Sequence, residues 1–541
     1  MSSGVHKKSD KGCWTCKNRK VRCDGGQPTC ANCARLRKAC QGYGVRLSWP
    51  RDGDTKRSIV GKPPVSLAQP LKSSDIRLVH TSFFDIHMYS YLAGLRSSRD
   101  YGDIGTYPLQ LILPAPETRK SLGDLNAEDL GLLQNFETDA YTTFATATPD
   151  TSRLRDILLR MALMDDSITS RAVLHAILAL SSLQRDGLHL QAAQHKTAAV
   201  GALAASAKKG IQDVTEAARH VAANMLLCSY EIYVGTDSYG HWPWYLTGAR
   251  EILEAANLQN MIAREDIKHL VEWVFFHDVH ARLSLFHWKR GDAQKVLAGQ
   301  IDAGSWHRDL CAIAMKLDLN FDHLPRMLRY LADAVNAVCL WSRTSSIPIR
   351  QLQEEVNACE EKILEVPELD IATLPELDIA EDKSNSMLSE AGQQTPSSLT
   401  AAMAARPSLE LLTELFRIAI LVYISRICEA QFGETDRSQS TLAPLLERAF
   451  SLLPRVPTCE RLLPVFVIGC EARTDERRMA VLDLVRRTEQ HTRVRKLTCL
   501  RRALDSVWIQ DDLHADQDVT LHYLNKVNVV ISSSPALPTF V

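Results

Sequence analysis

Six cysteines stand between positions 13 and 40: Cys13, Cys16, Cys23, Cys30, Cys33 and Cys40. Their spacing is C-x2-C-x6-C-x6-C-x2-C-x6-C, two halves that each join a C-x2-C pair to a third cysteine six residues on. Thiolates are soft ligands that suit zinc, and zinc takes four of them in a tetrahedron. Two zinc ions need eight ligand positions, and six thiolates fill eight only if two of them bridge. Cysteine supplies 14 of 541 residues, so five further cysteines at fixed offsets arise by chance at on the order of 10⁻⁸ per starting position. The other eight (Cys228, Cys311, Cys339, Cys359, Cys428, Cys459, Cys470 and Cys499) are scattered singly and read as small buried apolar residues. Met1 to Asp10 is polar and has no apolar signal core. A reducing compartment is therefore expected, where clustered cysteines mean metal before disulfides.

Between the cysteines lie seven bases, Lys17, Arg19, Lys20, Arg22, Arg35, Arg37 and Lys38, against one acid, Asp24. Six thiolates with two Zn²⁺ contribute −2, which leaves the module at about +4, a compact charge suited to a phosphate backbone. Lys17 to Arg22 follow a metal-anchored cysteine, where a short helix can start. Such a helix would present Arg19 and Lys20 to guanine O6 and N7 in the major groove of double-stranded DNA. Arg46 and Arg51, past the last cysteine, extend the phosphate contacts. Two other readings compete: a structural zinc module with a merely solvated charged face, and a metal buffer. The rest of the chain offers no ligands in pattern, which weighs against the buffer.

The net charge of −1 conceals an imbalance. Residues 1–62 hold 15 Lys or Arg and four Asp, a surplus of 11 positive charges, so the remainder carries −12. A basic end on an acidic remainder signals nucleic acid or another anionic surface. A disordered basic tail is the plainer explanation of the same numbers.

Residues 13–40 resemble the binuclear zinc cluster of fungal transcription factors. The resemblance implies two Zn²⁺ per chain, with Cys13 and Cys30 bridging. One ion would take Cys13, Cys16, Cys23 and Cys30, the other Cys13, Cys30, Cys33 and Cys40. It implies a basic pair before the third cysteine, matched by Arg19 and Lys20, with Lys20 reading a CGG triplet. Pro28 matches the loop proline before the fourth cysteine. One departure follows the cluster: many members of the family carry a dimerising coiled coil there, whereas Gln41 to Leu71 contains no sustained a/d heptad. The oligomeric state is left open.

These residues must be positioned by a fold, and the remaining pattern is helical. Leu154, Ile157, Leu158 and Met161 recur at helical spacing, as do Val173, Ala176, Ile177 and Leu180; Ala217 to Tyr233 and Ile267 to Phe286 behave alike. Little strict alternation occurs, so the expected fold is mainly α: a small N-terminal zinc cluster and a large all-α regulatory domain joined by disordered linkers. The boundaries read as a basic N-terminus over 1–12, the cluster over 13–50, a Gly/Pro/Ser/Lys linker over 51–75, a helical domain over 76–530 and a frayed tail over 531–541. Periodicity stops between about 366 and 407, where Val366-Pro-Glu-Leu-Asp-Ile-Ala372 is followed by Leu374-Pro-Glu-Leu-Asp-Ile-Ala380. This acidic-apolar repeat resembles an activation segment, and a plain acidic loop fits it too.

Within the helical region, Tyr230 to Tyr233, His241 to Arg250, Phe466 to Ala472 and Val507-Trp508 resemble the regulatory domain of one branch of those factors. That implies regulation through transcription machinery or co-regulators, or by a small-molecule effector. No dinucleotide, P-loop, serine-hydrolase or zinc-protease motif occurs. His277 and His280 flank Asp278 without a declared third ligand, and Cys470 sits between Gly469 and Glu471; a structural role is expected for all three. The apolar stretch Ile418 to Ile424 is bounded by Arg417 and Arg426. It is far shorter than the roughly 20 residues of a membrane span. The sequence thus reads as a nuclear, sequence-specific DNA-binding regulator of transcription by RNA polymerase II and not an enzyme. An enzyme or scaffold tethered by a zinc module, and a DNA-binding repressor, are the rival readings.

Overall fold

The computed structural model describes residues 12–26, 28–43, 81, 83–92, 125–147, 150–234, 241–258, 261, 263–288, 323–344, 348–370, 409–433, 435–491, 496–515, 521–534 and 537–541. Contacts divide the chain into two compact units, Met1–Arg77 and Leu78–Val541. All regular elements among the described residues are helical, as the periodicity predicts.

The first unit holds two five-residue helices, α1 (Trp14–Asn18) and α2 (Ala31–Arg35). The Cys13 sulfur accepts from the Cys16 amide, and that of Cys30 from the Cys33 amide, each at 3.4 Å. Sulfur thus takes the place of the usual N-cap oxygen.

The second unit begins with α3 (Phe83–Leu92), α4 (Ala127–Thr138), α5 (Ser152–Leu163), α6 (Ile168–Asp186), α7 (Leu190–Lys209), α8 (Val214–Val234), α9 (Trp242–Ala255) and α10 (Glu265–His287). It continues with α11 (His323–Thr344), α12 (Ile349–Leu364), α13 (Leu409–Phe432), α14 (Thr435–Leu452), α15 (Leu462–Gly469), α16 (Asp475–His491), α17 (Lys496–Leu513) and α18 (Tyr523–Ser533). Local chemistry sets many of the ends. Asn126 and Asp129 form a capping box on α4. Ser167 caps α6 through the Ser170 amide at 3.1 Å, and that helix stops at Gly187 with φ of 79°.

Two helices are buried on nearly every side. α10 is buried almost continuously from Val271 to Ser284, and α13 from Leu411 to Cys428. A helix apolar around its whole circumference belongs in a core. α10 packs on α5, α8, α9, α11 and α18, while α13 packs on α11, α12, α14, α15 and α18. Some of the polar groups carried inside tie helices together. His287 of α10 meets Asn528 Oδ1 at 2.8 Å and the Tyr423 hydroxyl at 2.7 Å, tying α10 to α18 and α13. Arg282 donates to Asp278 at 2.6 Å, and Arg250 of α9 lies 3.8 Å from the same carboxylate.

Two boundary expectations need correction. The segment read as a frayed tail is packed: Leu537, Phe540 and Val541 are buried. The Trp242 indole donates to the Leu537 carbonyl at 3.1 Å, the Leu463 amide to the Phe540 carbonyl at 3.0 Å, and Phe540 stacks on Phe466. Periodicity stops where expected, with α12 ending at Leu364, but the start of the insert is not loose, because Val366 is buried and Leu369 packs on the core. Residues 371–407 and the linker over 51–75 lie outside the described residues. Among the scattered cysteines, Cys228, Cys428, Cys459 and Cys470 are buried as expected, whereas Cys499 is exposed.

Candidate metal centre and nucleic-acid interface

The two halves of the first unit fold alike at an offset of 17 positions. The Lys17 amide donates to the Cys13 carbonyl at 2.9 Å and the Ala34 amide to that of Cys30 at 3.0 Å. The Val21 amide closes on the Cys16 carbonyl at 3.1 Å and the Lys38 amide on that of Cys33 at 3.0 Å. To make these closures Lys20 and Arg37 both adopt left-handed backbone, with φ of 57° and 48°. Gly25 and Gly42 repeat the device two residues after the third cysteine of each half, with φ of 79° and 70°.

This fold brings all six sulfurs into two groups that share two members. One is Cys13, Cys16, Cys23 and Cys30, the other Cys13, Cys30, Cys33 and Cys40; within each group the sulfurs lie within 4.8 Å of one another. Cys13 and Cys30 stand 3.7 Å apart, Cys16 and Cys30 3.7 Å, and Cys13 and Cys33 3.8 Å. A zinc tetrahedron with bonds of about 2.3 Å has sulfur–sulfur edges of about 3.8 Å, so the donors fit the ion in kind and spacing. Cys13, Cys16, Cys30 and Cys33 are fully buried. Burial pushes the Cys13 and Cys16 thiols up and takes Cys33 to about 12. The Cys13 amide instead draws Cys23 down to about 6, and the Cys30 amide lowers Cys40. Cations that replace the thiol protons remove the cost of this crowding, so metal loading releases protons.

Residues outside the cysteine frame hold the loops in place. The Tyr43 hydroxyl donates to the Gly26 carbonyl at 2.7 Å and lies 3.8 Å from the Cys23 sulfur. Asp24 accepts from the Ala31 amide at 3.0 Å. Thr15 donates to the Ala39 carbonyl and accepts from the Gln41 amide, both at 3.0 Å. The cysteine spacing gave no sign of these roles; that Asp24 is the one acid among seven bases was the only cue.

Lys17, Lys20, Arg22, Arg35, Arg37 and Lys38 are exposed, and Arg19 is half-buried. The expected helix over Lys17 to Arg22 is corrected. α1 starts one residue after Cys13 and ends at Asn18, because residues 19–23 must turn back to bring Cys23 to the metal. Arg19 is the cap, and Lys20 projects from the turn behind it. Lys17 lies 4.8 Å over the Trp14 ring, and Arg35 is steadied by Asn32 at 3.2 Å. Arg46 and Arg51 lie outside the described residues.

Residues 11–50 match the model of the fungal Zn(2)-Cys(6) binuclear cluster domain, and residues 131–528 match that of the fungal specific transcription factor domain. The chain belongs to the fungal zinc-cluster transcription factors. It is 31% identical over 418 residues to transcription factor iacI of Pestalotiopsis fici, covering 77% of this chain and 96% of that one. It is 22% identical over 576 residues to pestheic acid cluster transcriptional regulator 3 of the same fungus, covering 95% of this chain and 97% of the relative. A match of 43% over 44 residues, 8% of this chain and 5% of the relative, joins it to arginine metabolism regulation protein II of Saccharomyces cerevisiae. No solved structure matches. As a zinc-cluster factor the protein holds two zinc ions on its six cysteines, binds DNA and regulates transcription; it is not an enzyme.

The residues of the regulatory domain singled out by the sequence have local structural surroundings. His277 and His280 turn their Nδ1 atoms to the carbonyls of Trp273 and Phe276 one helical turn back, at 3.0 and 2.7 Å. Burial pushes the Cys470 thiol well up, away from nucleophilic character. A cavity of about 30 Å³ beside Leu462, Leu500, Ile531 and Phe540 has room for a single water. Among the described residues no helix is long and apolar enough to cross a membrane.

Proposed function

We propose that this factor works in the nucleus and reads CGG-type triplets, with Lys20 as the base reader and Arg19 beside it. Lys17, Arg22, Arg35, Arg37, Lys38 and Arg46 contact phosphates. The observation that carries the reading is the exposed Lys20 in a left-handed turn clamped between two metal-held cysteines. The turn fixes where the Lys20 side chain leaves the backbone, which suits base readout and is not needed for a solvated charge. We further infer that its targets are genes of one metabolic pathway, since the long relatives include a cluster transcriptional regulator. The helical unit would pass on the state of a co-regulator or small-molecule effector.

Selection of random duplexes on the zinc-loaded full chain, at one stated salt concentration, tests the readout. Enrichment of CGG triplets is expected, and their number and spacing distinguish a monomer from a dimer. Zinc-replete protein that enriches no sequence would overturn the assignment of Lys20.

A further inference from the structure

The regulatory domain holds a stretch of its own chain in a polar slot that the zinc chemistry does not use. Val366 to Asp370 runs without regular structure after α12 and lies against α13 and α14. Arg417 of α13, itself 1% exposed, donates from Nη2 to the Glu368 carboxylate at 2.5 Å and from Nε to the Val366 carbonyl at 3.4 Å. Arg448 of α14 donates to the Leu369 carbonyl. Glu414, also buried, accepts from Arg448 at 2.6 Å and from the Leu369 amide at 3.5 Å. Val366 is buried, Leu369 half-buried, and Pro367 and Asp370 face out.

This slot reads a pattern more than a particular stretch of chain. It engages both main-chain groups of Leu369, one side-chain carboxylate, and two apolar side chains three positions apart. Eight residues on, Leu374-Pro-Glu-Leu-Asp378 repeats the pattern, with the leucine of Leu374 replacing the valine of Val366. The Nη1 of Arg417 is buried with no hydrogen-bond partner among the described residues, so the fork can donate to one more oxygen. A buried arginine beside a half-buried one, meeting backbone carbonyls and the exposed Glu368 carboxylate, has the donor geometry to hold extended acidic-apolar peptide.

We propose that Glu414, Arg417 and Arg448 form a peptide-binding slot for segments of the form apolar-Pro-Glu-Leu-Asp, and that residues 374–378 compete with 366–370 for it. The exchange is local. Seating the second copy leaves nine residues, 365–373, between the end of α12 and the slot, and closing that loop favours the first copy by about 30-fold. Tethering also gives each copy a millimolar effective concentration, so the copies exclude peptide supplied from outside. With one slot and two copies, one acidic-apolar copy always stays available to a partner.

The test uses a fluorescent peptide of sequence Leu374–Ala380 and the zinc-loaded full chain. Wild type should bind it negligibly. A variant disabled in both copies (Glu368→Ser, Leu369→Ser, Glu376→Ser, Leu377→Ser) should bind it, and adding Arg448→Ala should weaken that binding by about tenfold or more. A variant disabled in the first copy alone should exclude the peptide as wild type does. Peptide binding to that single-copy variant equal to binding by the doubly disabled one would show that the second copy does not enter the slot. No binding by the doubly disabled chain, with its circular dichroism intact, would overturn the slot itself. Should the doubly disabled chain misfold, a photoreactive leucine at position 377 in a Glu368→Ala, Leu369→Ala chain decides the matter. Cross-links to α13 or α14 support the exchange, and their absence refutes it.

Discussion

At the scale of single residues, the six cysteines do not contribute equally. Cys13 and Cys30 belong to both four-sulfur groups, and the other four to one each. Cys13→Ala or Cys30→Ala should therefore strip both ions from the full chain, whereas Cys16→Ala should leave close to one zinc per chain. Mass spectrometry under native conditions counts them, and equal loss in all three variants would sink the bridging arrangement. Lys20 is unequal in another way. Lys20→Ala keeps the turn and removes the ammonium, so it should relax discrimination at the triplet by about 1–3 kcal/mol while sparing zinc content. The cysteines were legible in the sequence because ligand number alone demands sharing. Tyr43 and Thr15 were not, since their work is hydrogen bonding across 17 and 24 positions to backbone carbonyls that no spacing rule marks.

At the scale of elements, the sequence placed the amphipathic helices well, because one apolar face at regular spacing is a local signal. α5, α6, α8 and α10 fall where Leu154, Val173, Ala217 and Ile267 open their patterns. The end of the chain was misjudged for the opposite reason. Ser532 to Ser534 and two prolines look like a loose end, while the partners of Phe540 are Leu463 and Phe466, more than 70 positions earlier. Composition cannot show such a contact. Phe540→Ala removes a fully packed ring and should cost about 3–5 kcal/mol in denaturant unfolding. A value near zero would mean the tail is not seated. The buried charges make a second case. Asp278 faces Arg282 and Arg250 within the core. Asp278→Ala leaves two guanidinium groups there without that carboxylate and should destabilise the regulatory domain by about 3–5 kcal/mol. Asp278→Asn should lose less, because the amide oxygen still accepts from Arg282, and equal losses would point to packing in place of charge.

For the whole molecule, the charge imbalance separates two kinds of contact that single substitutions alone would confuse. Residues 1–77 carry a surplus of 12 positive charges and residues 78–541 carry −13; these are the two compact units, so the near-neutral total describes neither. DNA affinity should be strongly salt-dependent although the net charge is −1. Each phosphate neutralised adds about 0.9 to the magnitude of the slope of log K against log salt. Arg37→Ala and Lys38→Ala, on the half of the cluster away from Lys20, should each flatten that slope by about 1 and weaken all duplexes alike. Lys20→Ala should lower affinity for the selected triplet while leaving the slope nearly unchanged, since a base edge releases no counterion. Titrating the full chain against a CGG duplex and a scrambled duplex at four salt concentrations yields both quantities at once. If Lys20→Ala flattens the slope and spares the ratio between duplexes, Lys20 is a phosphate contact, and base reading passes to Arg19 or to the basic residues beyond the cluster.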